Sequence, residues 1–476
     1  MHGGIELKNT KEKKVAAKKS LVAPTIAVIV GMFMVSLDSS VLNVAIPNLV
    51  KYFGSNLSTV QWAITGYALA MAAVIPLAGW MTDRFGTKRI FIIVISLFTI
   101  GSALCSIAKS PFELILFRVI QGIGGGMVMP IGMATIFKIA PKDKLGKFMG
   151  LLGLPIMLAP TLGPVVSGYI LEYFSWHWIF RINIPIGIIA IILTVLFLPE
   201  FDRNEVPSLD FLGVILAPIA FAMLVYGVNE GSKSWTSTNS LIGLTVGGIA
   251  LIIFIFVELS QEKPLIELKV LGSWGFFSGI VVLSIFQIVL FSVIILTPLY
   301  LQNVKGFTTL QTGFILLPQA LSAGIMMPLS GKLFDKIGAR PLAFLGLLLA
   351  TTGLFMLSKL SGDTSIPYIV TCLILMGFAG GLIFMPLNSH MLQSAPEDLI
   401  SRVTPLTGAF QQVVFSFAIA GMTGFLTSRM TYNLAITKNK LSAAISSYDN
   451  VFLLCVCIAI IGLFLSLFIR KTKDVV

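Results

Sequence analysis

Two opposite charges stand where charges are rare. Asp38 interrupts an apolar run that begins near residue 21, and Arg118 interrupts another that begins near residue 111. Burial disfavours an ionised carboxylate, and a neighbouring cation favours it. Balanced between the two effects, Asp38 could load and release protons. Arg118 would be its counter-charge, because a guanidinium tunes a partner without itself deprotonating. The plainer alternatives are an Asp38 that only hydrogen-bonds within its bundle, and a static pair that ties two helices together.

A second set of residues recurs. Gly79, Asp83, Arg84, Gly86 and Arg89 fall in one segment, and Asp335 and Arg340 fall in another that begins at Gly331. Both segments read Gly-x-x-x-Asp-(Arg/Lys)-x-Gly-x-(Lys/Arg). A carboxylate beside a helix N-terminus is favoured by the helix dipole, and it can also pair with basic neighbours. Such contacts could hold one conformation and release in another, or the basic residues could serve topology alone. In a third stretch, Gly163 and Gly168 with Pro164 allow close packing and bending of one helix. Asp210 and Glu230 are weaker candidates for a second proton or cation contact.

Apolar helices must carry these groups. Of 476 residues, 56% are hydrophobic and 11% charged, against about 25% charged in a soluble protein. A spanning helix takes about 20 mostly apolar residues. Fourteen such runs lie near 21–46, 59–81, 89–108, 111–137, 146–171, 178–199, 210–229, 240–259, 275–301, 310–332, 341–359, 366–391, 404–428 and 450–469. With the N-terminus inside, the inner segments hold 23 Lys/Arg and the outer segments 8. That bias supports an even number of spans and cytoplasmic termini. The formal net charge of +12 is therefore read as a topology signal rather than a nucleic-acid surface.

Counting along the helices places Asp38 roughly 25 Å from the inner face and Arg118 roughly 10 Å from the outer face, so both sit in the outer half. The repeated segment follows the second and the tenth runs. It pairs runs 1–6 with runs 9–14 and leaves runs 7 and 8 as an insert. The expected organisation is a basic tail at 1–20, a six-helix half at 21–200, two inserted helices at 201–270, a second six-helix half at 271–470 and a tail at 471–476. Parallel six-helix halves are a transporter architecture, with the substrate site between them.

Several stretches resemble the major facilitator superfamily, and within it the fourteen-helix drug:proton antiporter branch. The repeated loop is similar to the superfamily signature. Leu37–Pro47 resembles the branch's first-helix motif, Arg118–Gly124 its fourth-helix motif and Gly163–Gly168 its fifth-helix motif. Trp176–Gly187 and Leu209–Gly213 look like its junctions. Departures are few: Ser39 or Ser40 stands where the branch has threonine, Ser167 where it has glycine, and Ala159 where glycine is frequent.

The resemblance implies an all-α polytopic major facilitator fold in the plasma membrane. It implies proton-coupled export of amphipathic drugs or toxic compounds by alternating access, a proton-coupling role for Arg118, a latch role for the two loops, and a path-sealing role for Gly163 and Pro164. The nearest alternative keeps the fold and exports a single metabolite, lipid or antibiotic. The drive that the resemblance implies is a proton gradient; no nucleotide-binding loop is present, and no cofactor is expected. Three dispersed histidines and four cysteines without metal spacing argue against a metal site and against an enzyme.

Overall fold

The computed structural model describes residues 21–201, 211–231, 234–261, 264–396 and 399–470, and among them the chain is helical throughout. We number its long helices in order. The first three are α1 (Val22–Phe53), α2 (Leu57–Val74, continued by a 3₁₀ turn at Ile75–Leu77 into Ala78–Phe85) and α3 (Thr87–Cys105). They are followed by α4 (Pro111–Ile139), α5 (Leu145–Tyr173) and α6 (Trp178–Arg181 and Asn183–Phe197). Next come α7 (Phe211–Gly231), α8 (Thr238–Ser260), α9 (Trp274–Asn303) and α10 (Thr309–Ile337). The last are α11 (Ala339–Leu357), α12 (Ile366–Gln393), α13 (Ile400–Thr437) and α14 (Lys440–Ser466).

Thirteen of these spans are long and apolar enough to cross a membrane as they stand. The fifth meets the same criterion only as a pair of segments, Lys142–Pro160 and Leu162–Tyr173, with a bend of 40° between them. Its prolines explain the bend. Pro155, Pro160 and Pro164 lie inside α5, and each removes a backbone donor and crowds the preceding turn. The protein is thus a multi-pass membrane protein. Trp274 at the start of α9 donates to the Phe468 carbonyl just beyond α14 at 3.1 Å. That contact defines one end of the bundle, called here the terminal end, and the opposite end is the far end.

Why these helices stop where they do is partly local. The side chains of Asn56, Ser110 and Ser237 cap α2, α4 and α8, and Thr308 with Gln311 forms a capping box on α10. These side chains satisfy amide groups that a helix start leaves open. The repeated loop works through glycine: Gly86 has φ +92° and Gly338 has φ +79°. Only glycine adopts such angles without strain, so the chain can turn directly from α2 into α3 and from α10 into α11.

Two helices run longer than their apolar runs. α13 extends to Thr437 and α14 begins at Lys440, well beyond the expected 404–428 and 450–469. The extra turns are rich in Thr, Ser and Asn, which stop a hydropathy count but do not break a helix.

Helices α1–α6 pack among themselves, as do α9–α14. The two groups meet along α5 and α10, which touch from end to end: Gly146 against Gly331, Gly150 and Gly153 against Met327, and Val165 over Gly313. On the opposite seam α7 lies between α2 and α13. Tyr226 of α7 stacks on Trp62 of α2 (6.0 Å between ring centroids), and Trp235 after α7 stacks on Phe417 of α13 (6.5 Å). The inserted pair is closely packed, with Gly227 and Gly243 facing each other backbone to backbone.

Candidate functional site

Asp38 lies within α1 and is almost wholly buried, at 1% exposure. Glycines bring its neighbours close. A Cβ at Gly122 would lie 2.6 Å from the Tyr67 carbonyl oxygen, and one at Gly126 2.7 Å from that of Met71, so α4 rests directly on α2. A Cβ at Gly101 would lie 2.7 Å from the Gln121 backbone, which sets α3 against α4. These close approaches turn Arg118 and Gln121 inward toward α1.

The Arg118 Nη1 donates to Asp38 Oδ2 at 2.5 Å and to Gln121 Oε1 at 2.7 Å. Gln121 Nε2 donates to Asp38 Oδ1 at 3.0 Å, and Asn183 Nδ2 donates to the same oxygen at 2.7 Å. Asn183 Nδ2 also donates to Ser102 Oγ at 3.0 Å, and Ser102 Oγ donates to the Phe180 carbonyl at 2.9 Å. The guanidinium lies 3.8 Å from the Tyr67 ring centroid, and its Nε donates to the Ala63 carbonyl at 3.3 Å.

Asp38 is therefore an acceptor in every one of these contacts, with one guanidinium and two amide donors around it. That is a site built for a carboxylate. The buried pair is fully partnered, and removing either member would leave an uncompensated charge at a cost of about 3–5 kcal/mol.

The repeated loops make a second, paired arrangement at the terminal end. Asp335 Oδ1 accepts from the Gly146 N–H at 2.8 Å and Oδ2 from the Lys147 N–H at 3.3 Å. It thereby caps the first turn of α5, on the other six-helix group, where the dipole favours a carboxylate. Asp83 is buried and accepts from Ser401 Oγ at 3.0 Å, with Arg402 Nε at 3.7 Å, in the first turn of α13. A Cβ on Gly79 would lie 3.0 Å from the Ser401 carbonyl carbon, and one on Gly331 2.7 Å from that of Gly146.

Arg84, Arg89 and Arg340 are exposed, and among the described residues no ion pair includes them. Arg402 of α13 gives Asp83 a basic neighbour.

Gly163 lies where a Cβ would overlap Ser40 of α1, and the Ser40 hydroxyl donates to the Ala159 carbonyl at 3.2 Å. Pro164 is half-buried one position on. A Cβ on Gly168 would meet Leu310 at an ordinary 3.8 Å, so packing does not require glycine there. Glu230 sits half-buried near the end of α7. Asp210 lies outside the described residues.

Sequence reasoning missed Gln121, Asn183, Tyr67 and Ser102. Gln121 and Asn183 lay inside stretches already singled out, and the available signal was an amide at membrane depth. Among the described residues no group of three His, Cys, Asp or Glu could hold a metal ion.

The Major Facilitator Superfamily model matches residues 28–420; the chain belongs to that superfamily and is a membrane transporter. It is 32% identical over 450 residues to the lincomycin resistance protein LmrB of Listeria monocytogenes, covering 93% of this chain and 95% of that protein. It is 32% identical to the multidrug resistance protein B homolog of Mycobacterium tuberculosis, covering 87% and 77%. It is 29% identical to the riboflavin transporter RibZ of Clostridioides difficile, covering 94% and 97%. In fold it is similar to the human organic anion transporter MFSD10, with a TM-score of 0.67 at 13% identity, covering 92% and 99%.

Proposed function

We propose that this transporter exports amphipathic drugs or other toxic compounds from the cytoplasm in exchange for protons, with Asp38 as the proton site and both termini in the cytoplasm. The observation that carries the reading is the sealed cluster of Asp38, Arg118, Gln121 and Asn183 inside the membrane-spanning bundle. An intramembrane carboxylate is costly and marks a functional site by default. The resistance relatives support the drug cargo.

Arg118 keeps three holds that do not involve Asp38: the Ala63 carbonyl, Gln121 Oε1 and the Tyr67 ring. When Asp38 takes a proton from the outside, its charge-assisted bond to Arg118 is lost while the arginine stays in place. The helix free to shift is then α1. The loop carboxylates Asp83 and Asp335, with Gly79, Gly86 and the neighbouring Arg84, Arg89 and Arg340, form the cytoplasmic latch in this reading, so the state described is closed toward the cytoplasm. The boundaries 21–200, 201–270 and 271–470 serve as the first half, the insert and the second half. Glu230 stays a candidate for a second cation contact.

One proton falling through about 150 mV supplies roughly 3.4 kcal/mol, which sustains a gradient of about 300-fold for a neutral drug exchanged one for one. The test is reconstitution in liposomes with a trapped pH dye, a proton gradient and a panel of lipophilic monocations and neutral drugs. Wild type should show drug-dependent proton flux that Asp38→Asn lacks. Coupling retained in Asp38→Asn would put the proton site elsewhere. A second reading, export of one dedicated compound, is favoured by the riboflavin transporter relative, and it wins if wild type moves protons with no member of the panel.

A further inference from the structure

Asn183 holds the amide orientation that the Asp38 carboxylate needs, and the structure shows what fixes it. Ser102 Oγ spends its hydrogen on the Phe180 carbonyl (2.9 Å), so toward Asn183 it can only accept. That pins Nδ2 between Ser102 Oγ (3.0 Å) and Asp38 Oδ1 (2.7 Å). The other end of the same amide, Asn183 Oδ1, is buried with no hydrogen-bond partner among the described residues, on a side chain only 1% exposed. Buried amide oxygens are ordinarily bonded, and an exception calls for an explanation. Gln121 offers no such freedom, because its Oε1 is held by Arg118 (2.7 Å) and by Cys105 Sγ (3.8 Å).

We propose that Asn183 is a positioning residue that reads the charge of Asp38. It donates from Nδ2 to the carboxylate, and after a half-turn of its amide it accepts at Oδ1 from the protonated acid. This deepens the proton-antiport reading and rests on it. The proton comes from the aqueous phase as hydronium and forms an O–H bond on Asp38 Oδ1; the N–H···O contact is replaced by O–H···O. The half-turn sets the amide oxygen against Ser102 Oγ, so the serine hydroxyl must swing from the Phe180 carbonyl to Asn183. Protonation of α1 is thereby passed to the joint between α3 and the first turn of α6. The charged and titratable groups facing Asp38 among the described residues are Arg118 of α4, Tyr67 of α2 and Cys105 of α3. They are present in both orientations, so Asn183 is the group that changes its role with the proton.

The test is an infrared pH titration of the purified protein in lipid nanodiscs, without substrate or gradient. The protonated-carboxyl band that disappears in Asp38→Asn identifies the residue. Asn183→Leu fills a similar volume and can neither donate nor accept. A donor bond to a charged oxygen is roughly twice as strong as one to a neutral oxygen. The carboxylate therefore loses more than the acid does, and Asp38 in Asn183→Leu should bind its proton about 10-fold more tightly than in wild type. Its band should also move to the higher frequency of a less hydrogen-bonded acid. A midpoint and band identical to wild type would overturn the assignment. If Asn183→Leu fails to fold, Asn183→Ala gives the same readout. No drug enters this measurement, so absence of drug-driven proton flux in liposomes would sink the antiport reading and leave this result untouched.

Discussion

Replacing Gly331 by alanine should open the terminal end of the bundle. The added Cβ would lie 2.7 Å from the Gly146 carbonyl carbon, against roughly 3.5–4.0 Å for a relaxed carbon contact. α5 and α10 must therefore separate by about 1 Å. The Asp335 bonds to the Gly146 and Lys147 amides, now 2.8 and 3.3 Å, would stretch toward or past hydrogen-bonding range. Overpacking of this kind costs about 1–3 kcal/mol, and a weakened charge-assisted bond adds about 1.5 kcal/mol more. A total near 3 kcal/mol shifts the closed-to-open ratio at this end by about 150-fold. Distances between spin labels on cysteines at Lys144 and Lys336, both exposed positions, report the change once the exposed Cys457 is replaced by serine. The closed population should dominate in the parent and become a minority in Gly331→Ala. If the distance distribution stays that of the parent in a well-folded, normally inserted variant, then glycine contact at this seam does not hold the state, and the latch reasoning fails.

The remaining predictions concern α5 and the arginine. Gly163→Ala forces a Cβ onto Ser40 and should reduce substrate counterflow at least about 10-fold for a cost of some 1–3 kcal/mol, whereas Gly168→Ala, which meets only an ordinary contact, should stay within about twofold. Arg118→Lys keeps the charge but loses the planar stack on Tyr67 and the fork that reaches Asp38 and Gln121, so drug-driven proton flux should fall by about 10- to 100-fold. Tyr67→Phe keeps the ring and removes a buried hydroxyl that has no hydrogen-bond partner among the described residues, so its flux should match wild type within about twofold. Flux assays on proteoliposomes of equal protein content decide all four.

Most of the architecture was legible because an apolar helix is rigid and its length is fixed by the bilayer. Residue counting from opposite ends put Asp38 and Arg118 at similar depth, and the structure has them 2.5 Å apart. What stayed hidden is what rigid-rod counting cannot reach. Gln121 and Asn183 carry no charge, so they leave little mark on hydropathy, yet they supply two of the donors to Asp38. Ser401 and Arg402 lie far along the chain from Asp83, and only the packing of α13 against α2 brings them there. Asp449 falls just before the last apolar run, at 450–469. The structure sets it inside α14, since helix formation continues through polar residues when neighbouring turns are well packed.

The repeat is symmetric in its latches and asymmetric in its chemistry, and that asymmetry constrains how the two communicate. Each loop carboxylate contacts the first turn of a helix of the opposite group, Asp335 through the α5 amides and Asp83 through the Ser401 hydroxyl of α13. By contrast α9 and α12, the counterparts of α1 and α4, contain no Asp, Glu, Lys or Arg at all. In the proton-antiport reading, with Asp38 as the proton site, the charge change begins in the first group and must cross the seam to move the second. α5 is the helix placed to carry it. Near its middle it receives α1 through Ser40, two residues beyond Asp38, at Ala159 and Gly163. At its start it is held by Asp335 of α10. The bend of α5, between Pro160 and Leu162, falls within the stretch that Ser40 touches, where a missing backbone hydrogen bond lets one segment swing against the other at little cost. A shift of α1 at Asp38 thus presses on the hinged element whose other end is latched to the second group, whereas among the described residues no such contact links Asp38 to the first turn of α13. In the proposed proton-antiport cycle, this geometry makes the Asp335 latch the first to respond to the proton, with the Asp83 latch following as the two groups rotate together.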